Sequence, residues 1–247
     1  MTDDFRHRVA VVTGATRGIG RAISLAFLKR GATVIGVYGS DRTAADSLRA
    51  ESGFGEDVLR LKQCDVADYA AVSRLFAEIE ADFETIDILV NNAGIRRDGV
   101  VAMLKQDDWQ RVLDVNLTGS YNMAKQAVLL MLKQKYGRVI FITSPMSRLG
   151  FAGQANYAAS KAGQLGLMHA LAKETARRKI TVNCVSPGFI ETDLIASLSP
   201  EQLAGYKKMV PMRRFGRPEE VANAVCFLAG EQAAYITDSV LEVAGGI

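Results

Sequence analysis

The feature that most constrains this 247-residue chain is a strict alternation, end to end, of short apolar runs with longer segments of helical period. Strand-like runs occupy Arg8–Thr13, Thr33–Tyr38, Val58–Cys64, Ile86–Val90, Arg138–Thr143, Ile180–Val185 and Ser239–Val243. Between them lie the helical patterns Ile19–Arg30 (apolar at Ile19, Ile23, Ala26 and Phe27, stopped by Gly31), Thr43–Glu51, Val66–Phe83, Asp107–Lys135, Gln154–Arg178 and Pro218–Ala229. Strands that are apolar throughout are buried on both faces, as in a parallel sheet covered by helices on each side. The expectation is an α/β fold with a doubly wound parallel sheet of about seven strands and helices on both faces. No repeat, low-complexity tract or linker divides the chain, so residues 1–247 are expected to form one domain. The less regular stretch 192–214 reads as a lid over a substrate, with Leu194, Leu198, Leu203 and Met209 suited to an apolar chain or to the core.

Composition excludes several classes. Hydrophobic residues make up 49% of the chain, enough to cover both faces of such a sheet. The formal charge of +3 is spread along the sequence and forms no basic stripe for nucleic acid. No apolar run reaches the roughly 18 residues of a membrane span. The start, Met-Thr-Asp-Asp-Phe, lacks the basic-then-apolar order of a secretory signal, and a cytoplasmic location is expected. Cys64, Cys184 and Cys226 are widely spaced among apolar neighbours, and His7 and His169 are the only histidines. Buried thiols are expected, with neither a disulfide framework nor a bound metal.

The residues that carry chemistry sit just past strand ends. Thr13-Gly14-Ala15-Thr16-Arg17-Gly18-Ile19-Gly20 follows the first strand and opens the first helix, where glycines let backbone N–H groups approach a pyrophosphate. Asn91-Asn92-Ala93-Gly94 follows the fourth strand, with small residues that leave room for a flat ligand and amides that can hold polar edges. Ser144 follows the fifth, and Ser186-Pro187-Gly188-Phe189-Ile190-Glu191-Thr192 the sixth. Each alone could be an ordinary turn. Together they fall on one edge of a parallel sheet, where ligands bind. Tyr157 and Lys161 are four apart on one helix face, 13 residues beyond Ser144. Tyr121 and Lys125 share that spacing but lie inside a helix with no strand end or partner serine, and are taken as a decoy.

A carbonyl accepting hydride develops negative charge on oxygen and needs a proton donor and a hydrogen-bond partner. Tyr157 is the candidate acid/base, Lys161 the cation that would lower the phenol's pKa, and Ser144 the group that orients the substrate oxygen. The second strand ends Tyr38-Gly39-Ser40 with no acid at its tip, which favours a ribose 2′-phosphate and hence NADP(H), with Arg17, Ser40 and Arg42 as candidate contacts.

Over essentially its whole length the chain resembles the short-chain dehydrogenase/reductase family, within it the 3-oxoacyl-(acyl-carrier-protein) reductases. The likeness rests on Thr13–Gly20, Asp87–Gly94, Gly153–Gly163, Ile180–Asp193 and Ala233-Ala234-Tyr235-Ile236-Thr237. It implies a Rossmann-type fold and reduction of a 3-oxoacyl thioester in fatty acid or related biosynthesis. It also implies a catalytic asparagine, mapping to Asn116, that holds a water linking the lysine to a proton relay. Arg17 is similar to a phosphate-facing arginine, Asp65 and Val66 to an adenine-contacting pair, and Asn92, Ala93, Gly94, Pro187, Gly188, Ile190 and Thr192 fall in cofactor-binding loops.

Carrier proteins are acidic, so basic residues near the mouth of the site would suit one. Lys133, Lys135 and Arg138 form one cluster, and Arg177, Arg178 and Lys179 another. By resemblance, Lys135 and Arg178 are the carrier contacts, although cations at helix C-termini are commonly just solvated. The resemblance implies a homotetramer, and apolar residues on more than one face of the long helices agree with burial against another subunit. The chain departs from the family pattern at Pro145, at Lys135 for arginine, at Lys179 and Asp238 for glycine, and at Ala244 for asparagine. Two other readings remain open: a relative acting on acyl-CoA or another ketone or alcohol, and a non-catalytic NADP-binding scaffold.

Overall fold

The computed structural model describes residues 4–192 and 199–247. Seven parallel strands form one sheet, β1 (Val9–Thr13), β2 (Thr33–Tyr38), β3 (Leu59–Gln63), β4 (Ile88–Asn91), β5 (Gly137–Ile142), β6 (Ile180–Pro187) and β7 (Val240–Val243), in the spatial order β3-β2-β1-β4-β5-β6-β7. The order reverses between β1 and β4, which opens the crevice where ligands of doubly wound sheets bind.

Alternate strand residues feed two cores. Val11, Leu89, Val139, Phe141 and Val182 pack under α3 (Tyr69–Phe83), α5 (Gly119–Gln134) and α7 (Ala155–Thr175). Ala10, Val12, Val34, Ile88, Val90 and Ile140 pack under α1 (Gly18–Lys29), α2 (Arg42–Ser52) and α9 (Pro218–Ala229). The expected doubly wound architecture with helices on both faces is therefore observed. Cys64, Cys184 and Cys226 are buried and form no disulfide. Among the described residues no group of His, Cys, Asp and Glu is placed to hold a metal, and no helix is long and apolar enough to cross a membrane.

Three local features differ from the expected elements. The helix expected over Val66–Phe83 begins only at Tyr69, because the Asp68 carboxylate accepts from the N–H groups of Ala70 and Ala71 and caps it there. The long helix expected over Asp107–Lys135 is α4 (Gln106–Leu113) and α5 joined by a wider π-type turn, Asp114–Thr118. There the Ser120 hydroxyl donates to the Asn116 carbonyl at 2.7 Å, while the Asn116 side chain bonds both backbone groups of Ile95, at 2.8 and 3.0 Å. Third, the stretch read as irregular contains α8 (Pro200–Met209), opened by a reciprocal cap between Ser199 and Gln202 with Pro200 in its first turn. Leu194 and Leu198 lie outside the described residues; Leu203 is half-buried and Met209 exposed.

Candidate active site

The glycine loop is held by the end of β4. The Thr13 hydroxyl accepts from the N–H groups of Asn92 and Ala93, both at 2.9 Å, and the Asn92 amide donates to the carbonyls of Thr13 and Gly14 at 2.9 and 3.1 Å. Asn92 therefore spends its amide NH2 fastening the loop, where the sequence suggested amides that hold a ligand's polar edges. Gly14 takes the left-handed φ of +61°, and a Cβ on Gly20 would stand 2.0 Å from the Gly14 carbonyl oxygen. Only a bare backbone turns that tightly. Helix α1 then opens with no side-chain cap and no acid in its first turn, so its leading N–H groups are available to an anion. Gly18 also sits 3.2 Å, measured from its would-be Cβ, from the Thr192 methyl, which brings the segment after β6 over the loop. Thr16 is buried, Ile19 and Ile190 turn their side chains into the core, and Gly188 packs against Ala244 at the tip of β7.

At the tip of β2, Ser40 and Arg42 are exposed, and Arg17 is exposed in the glycine loop. The Asp41 carboxylate is used to cap α2, accepting from the Ala44 N–H at 2.9 Å. Asp65 accepts from Ala67 N–H and pairs with Arg111 at 2.9 Å, while Val66 is buried against Gly119.

Ser144 follows β5, and Pro145 starts the short turn of helix α6 (Met146–Leu149) after it. Ser144 is buried and its side chain lies close to the half-buried Tyr157 phenol. Helix α7 carries Tyr157 and Lys161 one turn apart, with the Lys161 ammonium 5.7 Å from the Tyr157 ring centre. Burial pushes the Tyr157 pKa up, and Ser144 and then Arg96 pull it back. The Lys161 ammonium, expected to lower it, is turned in this structure to the Ile142 carbonyl at 2.7 Å and, more weakly, to Gln164 Oε1 at 3.4 Å. Lys161 itself is buried, which brings its pKa down to about 8.

Gly94 closes on the same centre, its would-be Cβ 3.4 Å from Asn116 Oδ1 and 3.6 Å from Lys161 Nζ. Between Lys161 and Asn116 stands the Gln164 side chain, whose amide donates to the Asn116 carbonyl at 2.8 Å. Ser144, Tyr157, Lys161, Asn116 and the glycine loop are thus brought to one edge of the sheet. The decoy is elsewhere: Tyr121 and Lys125 are exposed on α5, where the Lys125 ammonium sits over Tyr69 at 4.9 Å.

Within a single chain the basic clusters lie on the opposite edge of the sheet from Ser144. Lys135 ends α5 just before β5 begins, and Arg178 lies just before β6 begins, so both are on the edge where strands start. Six residues of β5, roughly 20 Å at about 3.3 Å per residue, separate that edge from Ser144. Arg138 is buried at 2% exposure and bonds the carbonyls of Gly137 and Lys179, so it is no part of a docking surface. Besides Lys161, the cations on the Ser144 edge include Arg96, which acts on Tyr157 and pairs with Asp98, and Arg148 of α6, which pairs with Glu242 at 3.2 Å. Sequence reading missed these and the aromatic group Phe151, Phe189, Tyr206 and Phe215, in which Tyr206 of α8 stacks on Phe189 at 4.9 Å. Gln154, 3.2 Å from Asp98, was also missed.

The chain belongs to the short-chain dehydrogenase/reductase family: the family model described as enoyl-(acyl carrier protein) reductase matches residues 14–247. Its relatives narrow the class. It is 44% identical, over 99% of its length and 98% of the relative's, to the 3-oxoacyl-(acyl-carrier-protein) reductase FabG of Escherichia coli K12. It is 45% identical to the enzyme of that name from Vibrio harveyi, over 97% of each chain. To the 3-oxoacyl-(acyl-carrier-protein) reductase of Synechocystis it is 46% identical, over 97% of this chain and 96% of the other.

Proposed function

We propose that the protein reduces a 3-oxoacyl thioester, carried on an acyl carrier protein, to the 3-hydroxyacyl form with NADPH. The observation that carries the reading is the approach of buried Ser144 to the half-buried Tyr157 phenol, with Lys161 one turn further along α7, on the edge that also holds the glycine loop. A reduced nicotinamide bound there would supply the hydride. The glycine cradle around Gly14 and Gly20 and the uncapped start of α1 fit its pyrophosphate. Exposed Arg17, Ser40 and Arg42 suit a 2′-phosphate, and the acid just past the tip of β2, Asp41, is engaged in capping α2, which supports NADP(H) over NAD(H).

Ser144 donates a hydrogen bond to the substrate carbonyl oxygen, and Tyr157 delivers the proton that oxygen takes up. Burial keeps the phenol protonated at neutral pH, which suits a proton donor. Lys161 stays charged below about pH 8, where it can hold cofactor hydroxyls on the Gly94 side. A hydroxyl pair aimed at one oxygen suits a ketone better than the carbon–carbon double bond named in the family description, and favours the relatives' reaction. The aromatic group of Phe151, Phe189 and Tyr206 offers an apolar wall for an acyl chain.

For the carrier, the cations on the Ser144 edge, Arg96 and Arg148, are better placed in this chain than Lys135 and Arg178. Exposed Tyr121, Leu129 and Leu132 on α5 favour self-association, for which the homotetramer implied by the resemblance is the expected form. The test is NADPH oxidation with acetoacetyl-carrier protein and acetoacetyl-CoA at equal concentration. Preference for the carrier-linked substrate supports the reading; preference for the CoA ester moves the substrate elsewhere, and no turnover of either rejects it.

A further inference from the structure

We propose that Gln164 is a positioning residue of the reaction, its carboxamide holding the Lys161 ammonium in register with the turn at Asn116. The inference rests on the reduction chemistry proposed above.

Gln164 lies three residues beyond Lys161 on α7 and is fully buried, at 0% exposure. A leucine would fill such a place without the cost of burying an amide, so the amide needs partners. It has three: Nε2 donates to the Asn116 carbonyl and to the Ser120 hydroxyl, both at 2.8 Å, and Oε1 faces Lys161 Nζ at 3.4 Å.

The orientation of the amide is dictated by these partners. The Asn116 carbonyl can only accept, and Ser120 spends its proton on that same carbonyl at 2.7 Å. The amide NH2 must therefore face them both, which leaves its oxygen for the ammonium. Reversed, it would set NH2 against NH3⁺ and oxygen against oxygen. Of the three protons on Lys161, one goes to Ile142 O at 2.7 Å and one to Gln164, so the tetrahedral ammonium has its third for the open side, where Gly94 approaches.

The other groups facing this ammonium compensate little. Cys184 from β6 is a neutral thiol, burial pushing its pKa up to about 12, and Tyr157 on the same helix is a neutral phenol at working pH. Arg96 and Asp98, from the segment after β4, act on Tyr157, and β5 contributes only the Ile142 carbonyl. Asp114 in the π-type turn accepts instead from Gln110. Among the described residues Gln164 supplies the one side-chain oxygen bonded to Lys161.

The test uses purified full-length enzyme with NADPH and acetoacetyl-carrier protein or acetoacetyl-CoA, whichever the wild type reduces, with kcat and KM followed from pH 5.5 to 10. Gln164→Leu removes the acceptor, so the alkaline limb of kcat is expected about one pH unit lower, with kcat at pH 7 down about tenfold and KM within about threefold. Gln164→Glu sets a carboxylate against Lys161, and the limb is expected to move up instead. Opposite shifts are what a merely structural role does not produce. Limbs unmoved in both variants, or moved the same way, overturn the proposal. If Gln164→Leu does not fold, Gln164→Glu decides by the direction of its limb, and Ser120→Ala, which frees the amide to turn, is expected to move the limb down. An inactive wild type counts against the proposed function, whereas an active one with unmoved limbs counts against Gln164.

Discussion

Substituting Gly20 by alanine sets two magnitudes against each other. In an open helix interior this change is worth about 1 kcal/mol in favour of alanine, and Gly20 sits in the first turn of α1. Yet the new Cβ would meet the Gly14 carbonyl oxygen at 2.0 Å and the Asn92 side-chain nitrogen at 2.5 Å, where ordinary contact begins at 3.4 Å. The loop must therefore open by about 1.4 Å against the carbonyl, and both Asn92 hydrogen bonds that tie it to β4 are strained or lost. Two such bonds at about 1 kcal/mol each, with an overpacking cost of about 1–3 kcal/mol, outweigh the helix gain. The expected net loss is about 2–4 kcal/mol, a fall in Tm of roughly 4–16 °C, with NADPH affinity weakened more than about tenfold as the cradle distorts. Thermal unfolding and NADPH fluorescence titration read both. The control is Gly205→Ala in α8, where a Cβ meets nothing within 4 Å; it should leave both quantities unchanged or raise Tm slightly. A Gly20→Ala protein as stable as wild type that binds NADPH equally well would refute the close-approach argument.

Three further outcomes are expected. Tyr157→Phe should lower kcat by about 10²–10⁴ while NADPH still binds within a fewfold; turnover near the wild-type rate in a steady-state assay contradicts the assignment. Because burial depresses Lys161 in the folded protein to about 8 from an ordinary value of 10.5, its unfavourable contribution is fully present below about pH 8 and is relieved as pH rises toward 10.5. Lys161→Met should thus be at least as stable as wild type at pH 7, with wild type gaining on it between pH 8 and 10; denaturant melts that show the opposite trend reject the sign. Lys179 holds a left-handed φ of +57°, which costs an L-residue about 1 kcal/mol, so Lys179→Gly should be neutral to about 0.5 kcal/mol stabilising after the unfolded-state entropy is counted; a clear loss in Tm argues against that balance.

The alternation of apolar runs and helical periods was enough to specify the doubly wound sheet, because strands buried on both faces can hardly be built any other way. Ser144, Tyr157 and Lys161 were legible for the same reason: each is fixed relative to a strand end or a helix face that periodicity reveals. The direction in which a polar side chain turns is not periodic. Asn92 folds back on Thr13 and Gly14, and Lys161 turns to the Ile142 carbonyl rather than to the phenol. Arg138 reads as one more cation in a basic run, yet as the second residue of a central strand it is buried. Gln164 is a lone amide among apolar neighbours, and its partners lie 44 and 48 residues away in sequence. By contrast α8 was legible and missed: Ser199-Pro200-Glu201-Gln202 is a capping box with proline in the first turn.

The central claim is hydride delivery to a carbonyl carbon with Tyr157 giving the proton. It is tested most directly with NADPH deuterated at the transferring position of nicotinamide C4, supplied with 3-oxobutyryl and 2-butenoyl thioesters in separate reactions and read by mass spectrometry. The account predicts one deuterium at C3 of a 3-hydroxybutyryl product, formed at least a hundredfold more slowly by Tyr157→Phe, and no reduction of the butenoyl ester. Turnover of the butenoyl ester alone, or a hydroxy product formed equally fast without the Tyr157 hydroxyl, contradicts it.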